Sequence, residues 1–109
     1  MSKIILRNPN EKYEEINEFI YDDKNNFSYY DFDKNKVEIK LNKNELLLHK
    51  ISKEYELELS LKNNGYAKII TCEGIAKFDI KMVEFTQNND NILVHYLVDG
   101  EDKVIEIIY

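Results

Sequence analysis

The sequence predicts an all-β chain, an antiparallel up-and-down barrel of about 8–10 short strands, and three observations carry that prediction. Apolar and polar side chains alternate with period two over most of the chain. Turn-forming clusters recur about every 8–12 residues, the spacing of sandwiches and barrels. Only one proline, Pro9, and three glycines interrupt it, and no Gly/Ser linker or internal repeat divides it.

The alternation is clearest in three segments. Val37, Ile39 and Leu41 oppose Glu38 and Lys40. Tyr55, Leu57, Leu59 and Leu61 oppose Glu54, Glu56, Glu58 and Ser60, and Ala76, Phe78, Ile80 and Met82 oppose Lys77, Asp79 and Lys81. A helix needs period 3.6, so each of these runs reads as a strand with one apolar and one wet face. Leu46-Leu47-Leu48, Ile92 to Val98 and Val104 to Tyr109 are apolar on both faces, which predicts cover by another element or by a second chain. A phase change at Met82-Val83-Glu84-Phe85 predicts a bulge.

The turns are Asp22 to Asn26, Asp33-Lys34-Asn35, Asn42-Lys43-Asn44, Asn63-Asn64-Gly65, Glu73-Gly74, Asn88 to Asn91 and Asp99-Gly100. Asn-Gly and Asp-Gly supply the positive φ angles of tight hairpins. Glu11 to Tyr21 is ambiguous from the residues alone: Tyr13, Ile16 and Ile20 approach helical spacing, whereas Phe19 and Tyr21 alternate as in a strand. So many antiparallel strands in 109 residues must curl, and closure removes exposed edges.

Length and composition bound the rest. A chain of 109 residues, 43% hydrophobic and 33% charged, fits a single domain over residues 1–109. Such a domain buries roughly 65% of its unfolded surface, enough for one core without staples. Cys72 is the sole cysteine, so no intramolecular disulfide and no cysteine-based metal site is expected, and a reducing, cytoplasmic setting follows. The apolar run Ile4-Ile5-Leu6 is too short for a signal peptide, and no stretch approaches the roughly 20 apolar residues of a membrane span.

An acidic balance, 21 carboxylates against 15 basic residues, argues against nucleic-acid binding. Gly65, Gly74 and Gly100 all fall at turns, leaving no phosphate-binding loop. His49 and His95 lack the spacing of a metal motif and read as solvated or capped. Cys72, beside Glu73, reads as a partly buried and inert thiol. Glu54, Glu56 and Glu58 share one strand face, the wet exterior, rather than converging on a cleft. No catalytic residue, metal ligand or cofactor is expected.

The order of the strands resembles the YwiB-like family of small bacterial calycin-type barrels of unknown function. Phe27-Ser28-Tyr29-Tyr30-Asp31 with the strand Lys36 to Leu41 carries part of the resemblance. Glu45 to Lys50 running into Glu54 to Leu61 carries more, as do Tyr66 to Thr71, Gly74 to Ile80 and Ile92 to Tyr96. The resemblance covers roughly residues 11–109 and implies a lipocalin-like barrel, with Glu11 to Tyr21 as strand. The chain is shorter than the family pattern. It also has Lys50-Ile51-Ser52 where the family shows Arg then Gly; Lys50 keeps the charge but not the bidentate fork.

Tyr29-Tyr30, Phe32, Tyr55, Tyr66, Phe78 and Tyr96 fall on different strands and can share one interior. Tyrosine combines apolar area with a hydroxyl that seeks a partner, as small-molecule pockets require. The expected binding set is therefore Tyr30, Tyr55, Tyr66, Phe78, Tyr96 and Lys50, around an apolar or amphipathic small molecule. The competing expectation is a barrel filled by its own rings, acting through its outer surface as an interaction module or a homodimer.

Overall fold

The structure, a computed structural model, describes residues 2–19 and 25–109. Ten strands run through them: β1 (Ser2–Asn8), β2 (Tyr13–Phe19), β3 (Asn26–Tyr30), β4 (Lys36–Asn42), β5 (Glu45–Ile51), β6 (Tyr55–Leu61), β7 (Tyr66–Thr71), β8 (Gly74–Gln87), β9 (Asn91–Val98) and β10 (Glu101–Ile108). Their order around the sheet is β2-β1-β10-β9-β8-β7-β6-β5-β4-β3, every neighbouring pair antiparallel. This is the expected up-and-down barrel, nearly closed.

The ambiguous segment resolves into a 3-10 turn, Pro9–Glu11, followed by strand β2. Lys12 ends the turn in the left-handed region at φ 53°, so a helix cannot continue through it. In the strand, Ile16 faces outward and half exposed, on the opposite face from Tyr13. The helical spacing of Tyr13, Ile16 and Ile20 was thus fortuitous; Ile20 and Tyr21, like Asp22 to Lys24, lie outside the described residues.

Closure depends on two seams. At one, β1 pairs with β10 from Lys3↔Ile108 to Arg7↔Val104, joining the two ends of the chain in one ladder. At the other, between β2 and β3, no ladder forms among the described residues. There the Phe19 and Phe27 rings stack, centroids 4.2 Å apart and planes 4° from parallel. Ring packing stands at this seam where backbone pairing does at the other.

Strand β8 is the corner of the barrel. Gly74 to Asp79 pair with β7, whereas Ile80 to Gln87 pair with β9, and the register slips between Met82 and Glu84. Val83 is the extra residue, so the bulge falls where the hydrophobic phase changes. Of the three glycine turns, Asp99-Gly100 has both φ values positive, 53° and 77°, as a tight hairpin demands. Gly65 is needed for a different reason: a Cβ there would lie 1.9 Å from the Ser60 carbonyl oxygen.

The interior has two unlike ends. One is packed solid by Ile4, Ile39, Leu46, Leu61, Ile92 and Ile107, all essentially without solvent exposure. The two-sided apolar runs are explained in part by this core, since Leu46, Leu48, Ile92, Val94, Ile105 and Ile107 point inward. Toward the other end, the inward positions become polar, and there a cavity opens.

Candidate functional site

Strand register brings the cavity residues together. One row across the sheet runs Tyr29, Val37, Lys50, Leu57, on β3 to β6. From the opposite wall come Lys103 and Tyr96, directly paired on β10 and β9. Strand β2 adds Tyr13 and Glu15, in phase with the inward Phe19. These side chains surround a partly open cavity of about 200 Å³ whose apolar wall includes Leu6, Val37, Leu48, Leu57, Leu59 and Ile105.

The charges are arranged in pairs. Lys50 Nζ lies 2.5 Å from Asp31 Oδ2, and the Asp31 side chain is only 2% exposed. Oδ1 of the same carboxylate accepts the backbone N–H groups of Asp33 and Asn35, tying the β3–β4 loop into the site. Burial opposes ionisation of Asp31, but Lys50 and these backbone donors outweigh it and hold its pKa below the usual carboxylate value. Burial likewise opposes the charge on Lys50, and its contacts with Asp31 and Tyr55 prevail, raising its pKa. Lys103 pairs with Glu101 at 3.4 Å, and Arg7 with Glu14 at 2.9 Å and Glu106 at 3.1 Å. Glu15 accepts a hydrogen bond from Asn17 Nδ2 at 3.2 Å but has no cationic partner among the described residues.

Two tyrosines sit within this frame. Tyr29 and Tyr96 are 5% and 6% exposed, line the cavity, and have no hydrogen-bond partner for their hydroxyls among the described residues. Burial raises the pKa of both, and Glu15 and Asp31 raise that of Tyr29 further, so both phenols stay protonated at neutral pH.

Of the six residues expected to bind, Lys50 and Tyr96 line the cavity. Tyr55 does not line it, but its ring centroid is 5.7 Å from Lys50 Nζ. The other three do not line it. Tyr30 is 67% exposed on the outer face, because its neighbour Tyr29 takes the inward position. Tyr66 is also on the outside, where its hydroxyl donates to Glu58 and Lys77 lies over its ring. Phe78 points inward by alternation but is 39% exposed, away from the cavity. Phe32, in the β3–β4 loop, is exposed too.

Sequence reasoning missed Tyr13, Glu15, Asp31 and Lys103. The signal for Glu15 was its even spacing from Phe19, readable only once β2 is known to be a strand. Cys72, expected to be partly buried, is exposed at the tip of the β7–β8 hairpin. His49 meets Glu56 at 2.6 Å and His95 meets Asp102 at 2.8 Å, each a capped surface histidine as expected. Among the described residues no group of three potential ligands could hold a metal, and no helix is long and apolar enough to cross a membrane.

No protein-family model matches the chain, and no curated protein matches it. The crystal structure of the YwiB protein from Bacillus subtilis is similar, with a TM-score of 0.59 over 97% of this chain and 84% of that one. At 15% identity the similarity is one of fold.

Proposed function

We propose that this protein is a binding barrel of the lipocalin-like kind, taking a small apolar or amphipathic molecule into the open end of its interior. The observation that carries the reading is the pair of buried tyrosines, Tyr29 and Tyr96, whose hydroxyls have no partner among the described residues, on the wall of a cavity with one apolar side and one charged side. A hydroxyl on that wall can exchange a hydrogen bond with a guest, worth about 0.5–1.5 kcal/mol net. The cavity's roughly 200 Å³ suits one ring with a short side chain, since an apolar void of about 150 Å³ already takes up benzene. Lys50 borders the same opening, with the Tyr55 ring behind its ammonium, and would contact the exposed part of the guest. We take the cytoplasm as its compartment, a reading supported by the single, exposed thiol of Cys72.

Native mass spectrometry of freshly purified protein, beside the same sample denatured, tests this. Extra mass in the native spectrum alone is the expected result. A bare mass, together with no uptake of small aromatic probes, contradicts the reading.

A second reading has its own observation. Ile75 and Val83 on β8 are 66% and 52% exposed, and each half of β8 pairs along one edge only. An exposed apolar edge is suited to a second copy of the chain, which would make the barrel a homodimer scaffold. Sedimentation equilibrium decides it: a strict monomer at high concentration rules this out.

A further inference from the structure

We infer that the molecule taken up carries a cationic amine, held by the Glu15 carboxylate at the mouth of the cavity. The inference rests on the interior-binding reading and adds the chemistry of the guest.

Three cations approach this end of the barrel, and each already faces a carboxylate. Lys50 pairs with Asp31, Lys103 with Glu101, and Arg7 with both Glu14 and Glu106. Glu15 is the carboxylate left over, half-buried on the cavity wall, with the neutral Asn17 amide and Tyr13 hydroxyl beside it and no cation among the described residues. An anionic guest would have to compete with an existing partner for every cation. A cationic guest meets a carboxylate that has none.

The surroundings of Glu15 suit an ammonium group in a second way. Tyr13 and Tyr29 line the same cavity with their phenol groups near enough to feel the Glu15 charge, and aromatic rings attract ammonium ions by their quadrupole. The hydroxyls of Tyr29 and Tyr96, unpartnered among the described residues, can accept N–H donors, which a protonated amine brings in threes. The chain's net charge of -6 adds a long-range attraction for cations. A primary arylalkyl amine, with one ring against Leu48, Leu57 and Ile105, satisfies every group named.

The test is calorimetric titration of the intact protein with three probes of one skeleton: 2-phenylethylamine, 2-phenylethanol and phenylacetate. The amine is expected to bind about tenfold more tightly than the alcohol, as a charge-assisted hydrogen bond at a half-buried site allows. Glu15→Gln should abolish that preference while leaving the alcohol's affinity unchanged, which also reports that the variant's cavity is intact. Glu14→Gln, which removes the same charge from a carboxylate paired with Arg7, should leave the preference in place.

Alcohol or phenylacetate binding as tightly as the amine overturns the inference and leaves interior binding standing. An amine preference that survives Glu15→Gln overturns the role of Glu15. Failure of all three probes at about 10 mM overturns interior binding itself.

Discussion

Lys50 on β5 reaches across β4 to meet Asp31, at the end of β3, at 2.5 Å; in the ladder Lys50 is paired with Val37 of the intervening strand. The pair fastens the β3–β4 loop to the middle of the sheet and forms one wall of the cavity.

Removing either partner separates their roles. Lys50→Met leaves a buried carboxylate without its counter-ion and should cost about 3–5 kcal/mol. Asp31→Asn keeps an acceptor for the loop N–H groups and leaves a lysine that can still reach solvent, so about 1–2 kcal/mol is expected. Because the folded pKa of Asp31 lies below its unfolded value near about 3.9, its contribution is full above that pH and is lost as pH falls through the folded pKa. Urea denaturation should therefore show the Asp31→Asn deficit at pH 7 and a shrinking one at pH 3.

Gly65 tolerates no side chain. With a Cβ placed 1.9 Å from the Ser60 carbonyl oxygen, Gly65→Ala must displace backbone at the β6–β7 turn. A loss of about 2 kcal/mol or more is expected, read as a lower urea midpoint with the slope unchanged.

The seam between β2 and β3 should be the part of the barrel most easily opened by mutation. Phe27→Ala removes one ring of the stack with Phe19 and should cost about 3–5 kcal/mol. Hydrogen exchange should then accelerate in β2 and β3 before β9 and β10, which are paired on both edges.

Eight tyrosines are present, and two should resist ionisation. Tyr29 and Tyr96 have raised pKa values, so the fold holds them protonated above the free value near about 10. For such acids the stabilisation is intact below the unfolded pKa and declines as pH rises beyond it. Absorbance titration should show these two phenolates appearing only with unfolding, and Tyr96→Phe should remove one of them.

Much of the fold was legible because alternation is a local property. The strands at Val37, Leu57 and Ile80 and the bulge at Val83 follow from side-chain phase alone. The site was less legible, because its members meet through the register of non-adjacent strands. Tyr30 was preferred to Tyr29 although only one of two neighbours can face inward, and the choice depends on where β3 begins. Glu15 was hidden because β2 carries polar residues, Glu15 and Asn17, on its inward face, so the strand lacks the usual apolar stripe.

The central claim, an interior that accepts a guest at its Tyr29–Tyr96 end, is most directly tested by a methyl and aromatic NMR titration with benzyl alcohol, a neutral single-ring probe. The account predicts saturable shifts at Tyr29, Tyr96, Leu48, Leu57 and Leu59, with Ile4, Ile92 and Ile107 at the packed end unmoved. Shifts confined to the outer face, or none at the two tyrosines, would contradict it.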